Sequence, residues 1–188
     1  VFLKKIRRFC NQNKIILIFD ECTSGFRYNV GGLHLTTKVN PDIAMFGKAI
    51  GNGYAISAVI GKKNIMDKAI KSFISSTFWT ERSGYVAGLK TIEFMEKYKT
   101  YNKLKKNGNY LISQWKKLSK KYNLNLEISK MPCIFNFRFK KNNNLFKTLI
   151  TKEMLKQGYL ASNIVYVSIY HNKKNIDEYI KKLDPIFK

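Results

Sequence analysis

Two polar side chains each follow a short apolar run: Asp20 comes after the letters IILIF, and Lys48 comes after IAMFG. Residues 15–19 are short, continuous and β-branched, which predicts a strand buried on both faces. Residues 43–46 predict a second strand, which Gly47 ends, so Lys48 falls on a turn. Open α/β sheets bind ligands in the crevice outside the carboxyl ends of their strands. The sequence therefore predicts that one carboxylate and one lysine converge on such a crevice.

The turn after Lys48 is rich in glycine. Gly51 and Gly53 keep it free of bulk, so a ligand can approach the backbone closely. Residues 56–60 predict a third strand, which ends at Gly61. The order G-K-x-x-G-x-G is not a P-loop, which needs its lysine after the glycines, and Ile56 stands where a dinucleotide fingerprint needs its third glycine. Both patterns argue against nucleotide binding.

Taken singly, a D-E pair after a strand is typical of a helix cap or a surface pair, and a G-K pair is common in loops. The combination is more specific. D-E-x-x-S/T-G-F-R followed by P-D-I-x-x-F-G-K-A-I-G-N-G-Y resembles the class III aminotransferases, which are pyridoxal-phosphate (PLP) enzymes of fold type I. Within that class the T-G-F-R ending is most similar to the glutamate-1-semialdehyde aminomutase branch. The resemblance extends from about residue 2 to residue 188 and is strongest between residues 16 and 61.

The resemblance implies an α/β fold. Residues 1–123 would form part of the large mixed-sheet domain that binds PLP, and residues 124–188 would form the small C-terminal α+β domain. The phosphate-cradling turn and the aromatic side chain that stacks on the ring lie earlier in the family's chain than any residue here. We therefore expect this sequence to be the C-terminal portion of a longer enzyme and to be inactive alone.

The resemblance also implies a role for four residues. Lys48 would form the Schiff base with PLP and be the catalytic residue, and Asp20 would pair with the pyridine nitrogen. Cys22 stands where the family usually has valine against the ring face. Thr77, in SSTFWTERSG, matches the threonine that contacts the cofactor phosphate of the neighbouring subunit, and hydroxyls beside backbone donors suit a phosphate. A homodimer with a shared active site is thus implied. No metal is expected.

Two departures from the family pattern bear on the reaction. W-T-E-R replaces the usual S-G-N-P after Thr77, and Ser162-Asn163 stands where the aminomutase tends to have an acidic residue before its final strand. The sequence leaves open an aminomutase and an aminotransferase that moves an amino group between an amine and a keto or aldehyde substrate. A catalytically inactive relative, serving as a binding or regulatory module, is the alternative; the presence of Lys48 and Asp20 argues against it.

The formal net charge is +23, and the isoelectric point is near 9.9. Such a charge is the electrostatic footprint of a nucleic-acid binder. The lysines are, however, spread singly and in pairs, together with abundant asparagine and isoleucine, and no recognised nucleic-acid motif is present. We interpret the charge as a compositional bias carried on solvated surface and expect no nucleic-acid partner.

Hydropathy and cysteines indicate the compartment. No apolar stretch approaches the ~20 residues that span a bilayer, and the opening VFLKKIRRFC is unlike a signal peptide. Cys10, Cys22 and Cys133 are odd in number and lack C-x-x-C spacing, so neither a disulfide framework nor a zinc site is indicated. Free thiols suit a reducing compartment. These features predict a cytoplasmic protein without a membrane partner.

Apolar periodicity predicts the remaining elements. A loop that carries His34 is expected at 27–40, and this lone histidine is expected to be structural or solvent-exposed rather than catalytic. Helices are predicted at 2–12 and 62–71, and two longer helices carry the apolar stripes Tyr85-Leu89-Ile92-Met95 and Leu104-Leu111-Trp115-Leu118-Tyr122. A half-buried strand is predicted through Phe135, Phe137 and Phe139. It is followed by a helix at 145–157, a strand at 164–170 and a last helix at 176–187.

Overall fold

The chain divides into two compact units, Val1–Tyr101 and Asn102–Lys188. They are seen in a computed structural model that describes residues 2–188. The predicted boundary at 123/124 refers to the family's large and small domains and stays a prediction. Among residues 2–188, no helix combines the length and the apolar character that a membrane crossing requires.

The first unit alternates helices and short strands. Its elements are α1 (Phe2–Gln12), β1 (Ile18–Asp20), α2 (His34–Thr37), β2 (Ile43–Phe46), a 3-10 turn (Lys48–Ile50), β3 (Ala58–Gly61), α3 (Lys63–Met66), a 3-10 turn (Asp67–Lys71) and α4 (Arg82–Tyr98).

The three strands form one sheet in the order β1-β2-β3. β1 runs parallel to β2, with Asp20 opposite Met45, and β3 runs antiparallel to β2, with Ala58 opposite Phe46. β3 begins two residues later than predicted because β2 ends at Phe46 and offers no further partner.

The prediction that the first strand is buried on both faces is wrong. β1 begins at Ile18, and this residue keeps 51% of its surface exposed. Among residues 2–188, β1 is an edge strand whose one partner is β2. The sheet's buried side chains lie instead on β2, at Ala44 and Phe46, each 4% exposed. The alternation of buried and exposed residues on β2 is typical of a sheet with one covered face.

α4 packs its small residues inward. The predicted helix is confirmed, but Tyr85 and Leu89 of the predicted stripe are 61% and 56% exposed. The buried face carries Gly84 and Gly88 together with Met95, which is the buried member of the predicted stripe. A Cβ on Gly84 would lie 2.4 Å from the carbonyl oxygen of Ala55, so the helix backbone approaches the loop before β3 too closely for any side chain.

The second unit carries most of α5 (Thr100–Lys121) and an antiparallel sheet of order β4-β5-β6. The remaining elements are β4 (Leu126–Ile128), β5 (Ile134–Phe139), α6 (Asn143–Lys156), β6 (Ile164–Tyr166), α7 (Lys173–Leu183) and a 3-10 turn (Asp184–Phe187). The predicted strand at 164–170 is shorter than expected, because beyond Val167 the backbone turns and the N–H of Ser168 donates to His171 Nδ1 at 2.9 Å.

The core of the second unit is aromatic. Phe135, Phe137 and Phe139 are buried on β5 while Asn136 and Arg138 are exposed, so the predicted half-buried strand is confirmed. Trp115 of α5 is fully buried, and its ring centroid lies 3.9 Å from that of Phe137. Such aromatic contacts add about 0.5–1.5 kcal/mol each beyond the area they bury.

Candidate functional site

The parallel pairing of β1 and β2 brings their carboxyl ends to one edge of the sheet. Asp20 is the last residue of β1, and Lys48 follows β2 after the single residue Gly47. The two side chains are close enough for the charge of Lys48 to contribute to lowering the pKa of Asp20. The predicted convergence of acid and lysine on one edge of the sheet is therefore what the structure displays.

Lys48 is exposed and sits on a tight turn. Its carbonyl oxygen accepts from the N–H groups of Gly51 and Asn52, each at 3.1 Å. Its φ of +50° lies in the left-handed region, which is uncommon for a side chain of this size. The Nζ amine donates to Thr23 Oγ1 at 2.6 Å. The turn thus aims the lysine back toward the residues that follow β1.

Asp20 is exposed and is held by the second residue after it. The backbone N–H of Cys22 donates to Asp20 Oδ1 at 2.9 Å. This bond, followed by one from the Cys22 thiol, lowers the pKa of Asp20; burial opposes the shift weakly and the charge of Lys48 adds to it. The carboxylate is therefore ionised throughout the neutral range.

Cys22 lies next to both Asp20 and the turn that carries Lys48. Burial first, and then the neighbouring Asp20 carboxylate, raise the pKa of the Cys22 thiol, so the sulfur is protonated at neutral pH. A Cβ built on Gly47 would lie 3.5 Å from Cys22 Sγ, so the thiol lies directly beside the turn that precedes Lys48. A neutral, compact side chain therefore lies beside the acid and beside the turn that carries the lysine.

Glu21 is the residue that sequence reasoning missed. It is only 3% exposed, and it accepts from Ser24 Oγ, from Leu33 N at 3.0 Å and from His34 N at 2.8 Å. Its Oε1 also lies 3.0 Å from His34 Nδ1. Burial by itself would raise the pKa of Glu21, but these hydrogen bonds outweigh it and the pKa is lowered.

We call these four residues, Glu21, Ser24, Leu33 and His34, the Glu21 clasp. The clasp bonds the residues on either side of Cys22 and Thr23 to one another and to the start of α2. It therefore holds the segment that carries Cys22 and Thr23 in place. His34 opens a short helix rather than lying in a loop, and it has the structural role that was one of two expected for it.

Thr77 lies in the exposed segment between the 3-10 turn that ends at Lys71 and α4. Within residues 2–188, no hydrogen bond joins it to Asp20, Cys22 or Lys48. Its predicted contact is with a neighbouring subunit and stays a prediction. No cluster of metal-ligating side chains occurs among the same residues.

Comparison with known sequences identifies the family. Residues 1–186 match the sequence profile "Aminotransferase class-III". The chain belongs to the class III aminotransferase family. Over 173 residues it is 35% identical to a 3-aminobutyryl-CoA aminotransferase of Cloacimonas acidaminovorans, covering 91% of this chain and 41% of that protein. It is 30% identical to a glutamate-1-semialdehyde 2,1-aminomutase of Bdellovibrio bacteriovorus, covering 94% of this chain and 46% of that protein. The chain thus spans less than half the length of these curated relatives.

Solved structures show the fold of the family. The FumI protein of Sphingopyxis sp. MTA144, solved in its PLP internal aldimine form, superposes with a TM-score of 0.90 at 22% identity and covers 99% of this chain and 46% of that one. An omega-transaminase from Sphaerobacter thermophilus superposes with a TM-score of 0.88 at 19% identity, with 99% and 47% covered. The predicted PLP-transferase fold of type I is confirmed.

Proposed function

We propose that this chain carries the cofactor lysine and the ring-nitrogen acid of a PLP-dependent aminotransferase or aminomutase. The observation that carries the proposal is the meeting of one amine, Lys48, and one ionised carboxylate, Asp20, at the same edge of a sheet in a class III aminotransferase fold. Neither residue is needed there for stability, because both side chains are exposed.

The residues present fit PLP. A pyridine nitrogen stays protonated beside an ionised carboxylate, and the bonds from Cys22 keep Asp20 in that form. The neutral Cys22 thiol is compact enough to lie against a ring face between Asp20 and Lys48. When bound, PLP supplies the electron sink that stabilises negative charge at the substrate carbon.

Each residue then has a distinct task. Lys48 Nζ would hold the cofactor covalently and, once displaced by the substrate amine, would carry the proton that moves during amino transfer. A lysine amine can accept that proton only in its neutral form. Thr23 Oγ1 lies 2.6 Å from Lys48 Nζ and so positions the free amine near the reacting atoms. Asp20 keeps a fixed negative charge at the opposite end of the site.

The substrate pair would be an amine and a keto or aldehyde compound. One relative is named as an aminotransferase and another as an aminomutase, so both forms of amino transfer remain within the proposal. An inactive relative has less support, because an unused site would not need an amine and an ionised acid held by specific bonds.

The assembly and location are also proposed. A homodimer would bring Thr77 of one subunit to the cofactor phosphate of the other, and the exposure of the Thr77 segment leaves it accessible for that contact. A cytoplasmic location is proposed because the sequence lacks the paired cysteine spacing of disulfide-bonded proteins.

Covalent labelling tests the assignment. The complete protein would be loaded with PLP, reduced with borohydride and mapped by peptide mass spectrometry, and we expect the pyridoxyl group on Lys48. Lys48→Ala should abolish the label, whereas Lys63→Ala, a matched change on α3, should leave it intact. A label on Lys62 or Lys63 in the wild-type protein would refute the assignment.

A further inference from the structure

A cleft of about 380 Å³ opens in the first unit at the end of the sheet away from Lys48. It is lined by the second half of α1, by residues just before β1 and β2, and by α3 with residues on either side of it. Asp42, at its base, precedes β2, whereas Lys48 follows β2, so the two sites lie at opposite ends of the same strand. The volume is within the range of small-ligand pockets.

The base of the cleft is a closed ion-pair network. Asp42 is 6% exposed, and its Oδ2 accepts from Arg7 Nη1 and from Leu17 N, each at 2.8 Å. Lys62 Nζ lies 2.6 Å from Asp42 Oδ1. Burial would raise the pKa of Asp42, but the bonds from Leu17, Lys62 and Arg7 outweigh it and lower the pKa far below its ordinary value. Asp42 is therefore a permanently charged anchor that holds two cations at the cleft.

The lining retains a surplus of positive charge. Four cations, Arg7, Lys14, Lys62 and Lys68, face one carboxylate, Asp42, which leaves three net positive charges. The carboxyl end of α1 contributes about half a negative charge, too little to cancel them. Within residues 2–188, the side-chain amines of Lys14 and Lys68 make no hydrogen bond or ion pair, so both are available to a ligand.

Two more features point to an anionic ligand with an apolar part. Arg7 Nε is buried and has no hydrogen-bond partner within the described residues, although buried N–H donors are nearly always paired. Ile15 and Ile16, 46% and 51% exposed, form an apolar wall beside the cations. Two free amines match the oxygen atoms of a phosphate group. The partly exposed Arg7 guanidinium adds positive charge beside them, and the isoleucines match a hydrophobic body attached to the phosphate.

We propose that this cleft binds a small phosphate ester, with the phosphate held by Arg7, Lys14 and Lys68 and the apolar body against Ile15 and Ile16. The site is separate from the one that would hold PLP, so its occupation does not depend on the proposed chemistry at Lys48.

The test uses protein that has been loaded with PLP, reduced with borohydride and dialysed free of unbound PLP, because free PLP is itself a phosphate ester and would compete for the cleft. Calorimetric titration with inorganic phosphate and with phenyl phosphate, at about 50 mM salt, then reports on the cleft. We expect one saturable site, with phenyl phosphate bound more tightly than inorganic phosphate. Lys14→Gln with Lys68→Gln should weaken phenyl phosphate binding about 10- to 100-fold, since two direct ammonium–phosphate contacts are lost.

The matched control is Lys4→Gln with Lys5→Gln, which removes the same charge from exposed residues of α1 outside the cleft. It should change binding less than about twofold, the effect of a small decrease in overall charge. Equal weakening by the two pairs would show that the net charge of the chain attracts phosphate and would overturn the proposal. The absence of saturable phenyl phosphate binding in the wild-type protein would also overturn it. So would the finding that Lys14→Gln with Lys68→Gln weakens binding of a single-stranded oligonucleotide but leaves phenyl phosphate binding unchanged.

Discussion

Replacing Glu21 by glutamine tests whether the Glu21 clasp holds in place the segment that carries Cys22 and Thr23. Glutamine keeps the shape of the side chain, removes its charge and turns one acceptor oxygen into a donor. The least costly orientation places the new NH₂ toward Ser24 and Leu33, because the Ser24 hydroxyl can rotate to accept. The Leu33 N–H, which now donates to Glu21 at 3.0 Å, would then face a donor.

The expected cost follows from that geometry. One buried N–H left unpaired costs about 1–3 kcal/mol. The two bonds from His34 become neutral, and a charge-assisted bond is roughly twice as strong as a neutral one, which adds about 1 kcal/mol. We therefore expect Glu21→Gln to lower the free energy of unfolding by about 2–4 kcal/mol at pH 7, a large share of the ~5–15 kcal/mol of a typical protein.

The pH dependence provides a second check. The folded-state pKa of Glu21 lies below its ordinary value of 4.5, so its stabilising effect is complete above about pH 4.5 and is lost as the pH falls through the folded-state value. The difference between wild type and Glu21→Gln should be constant from pH 7 to about pH 5 and should shrink below that. Urea unfolding followed by circular dichroism measures it at each pH.

Glu96→Gln is the control, since this glutamate is exposed on α4. It should change the free energy of unfolding by no more than about 0.5 kcal/mol. The reasoning fails if Glu21→Gln is as mild as Glu96→Gln at pH 7, or if the difference between wild type and Glu21→Gln grows as the solution is acidified.

Two further predictions concern backbone packing and chemistry. Gly108→Ala should destabilise the protein by about 1–3 kcal/mol in thermal unfolding, because its Cβ would lie 1.9 Å from the Pro132 carbonyl oxygen. Gly88→Ala, whose Cβ would come no closer to any neighbour than 3.5 Å from Ile56 Cδ1, should be neutral or stabilising by up to ~1 kcal/mol. Equal effects would contradict the packing argument. In the complete protein, Asp20→Ala should leave the thermal midpoint unchanged but slow amino transfer about 10²- to 10³-fold, as followed by cofactor absorbance, and Asp20→Asn should be milder. Asp20→Ala activity within threefold of wild type would exclude the ring-nitrogen role.

Sequence reasoning predicted where Asp20 and Lys48 lie because the signals that place them are local. Asp20 and Lys48 each end an apolar run, so their position at one sheet edge follows from strand periodicity and parallel pairing. The same holds for β5, where strict alternation placed three phenylalanines in the core. In each case the residue and the element that positions it are neighbours in sequence.

What sequence reasoning missed depends on distant partners. Glu21 reaches His34 across 13 residues of irregular chain, and no periodicity relates the two. The exposure of Ile18 was also missed, because an apolar run reveals its preference for burial but not whether a neighbouring strand covers it. Similarly, the inward face of α4 is decided by glycines, which an analysis of apolar stripes overlooks.

The left-handed backbone at Lys48 has a consequence for how such proteins decay. A residue other than glycine or asparagine in that conformation costs about 1–2 kcal/mol, so this position would be more stable with asparagine than with lysine. A gene copy released from selection for catalysis would gain stability by losing this lysine and would keep the fold. Mutation would therefore tend to remove the amine early from any copy in which the chemistry proposed for Lys48 is no longer under selection.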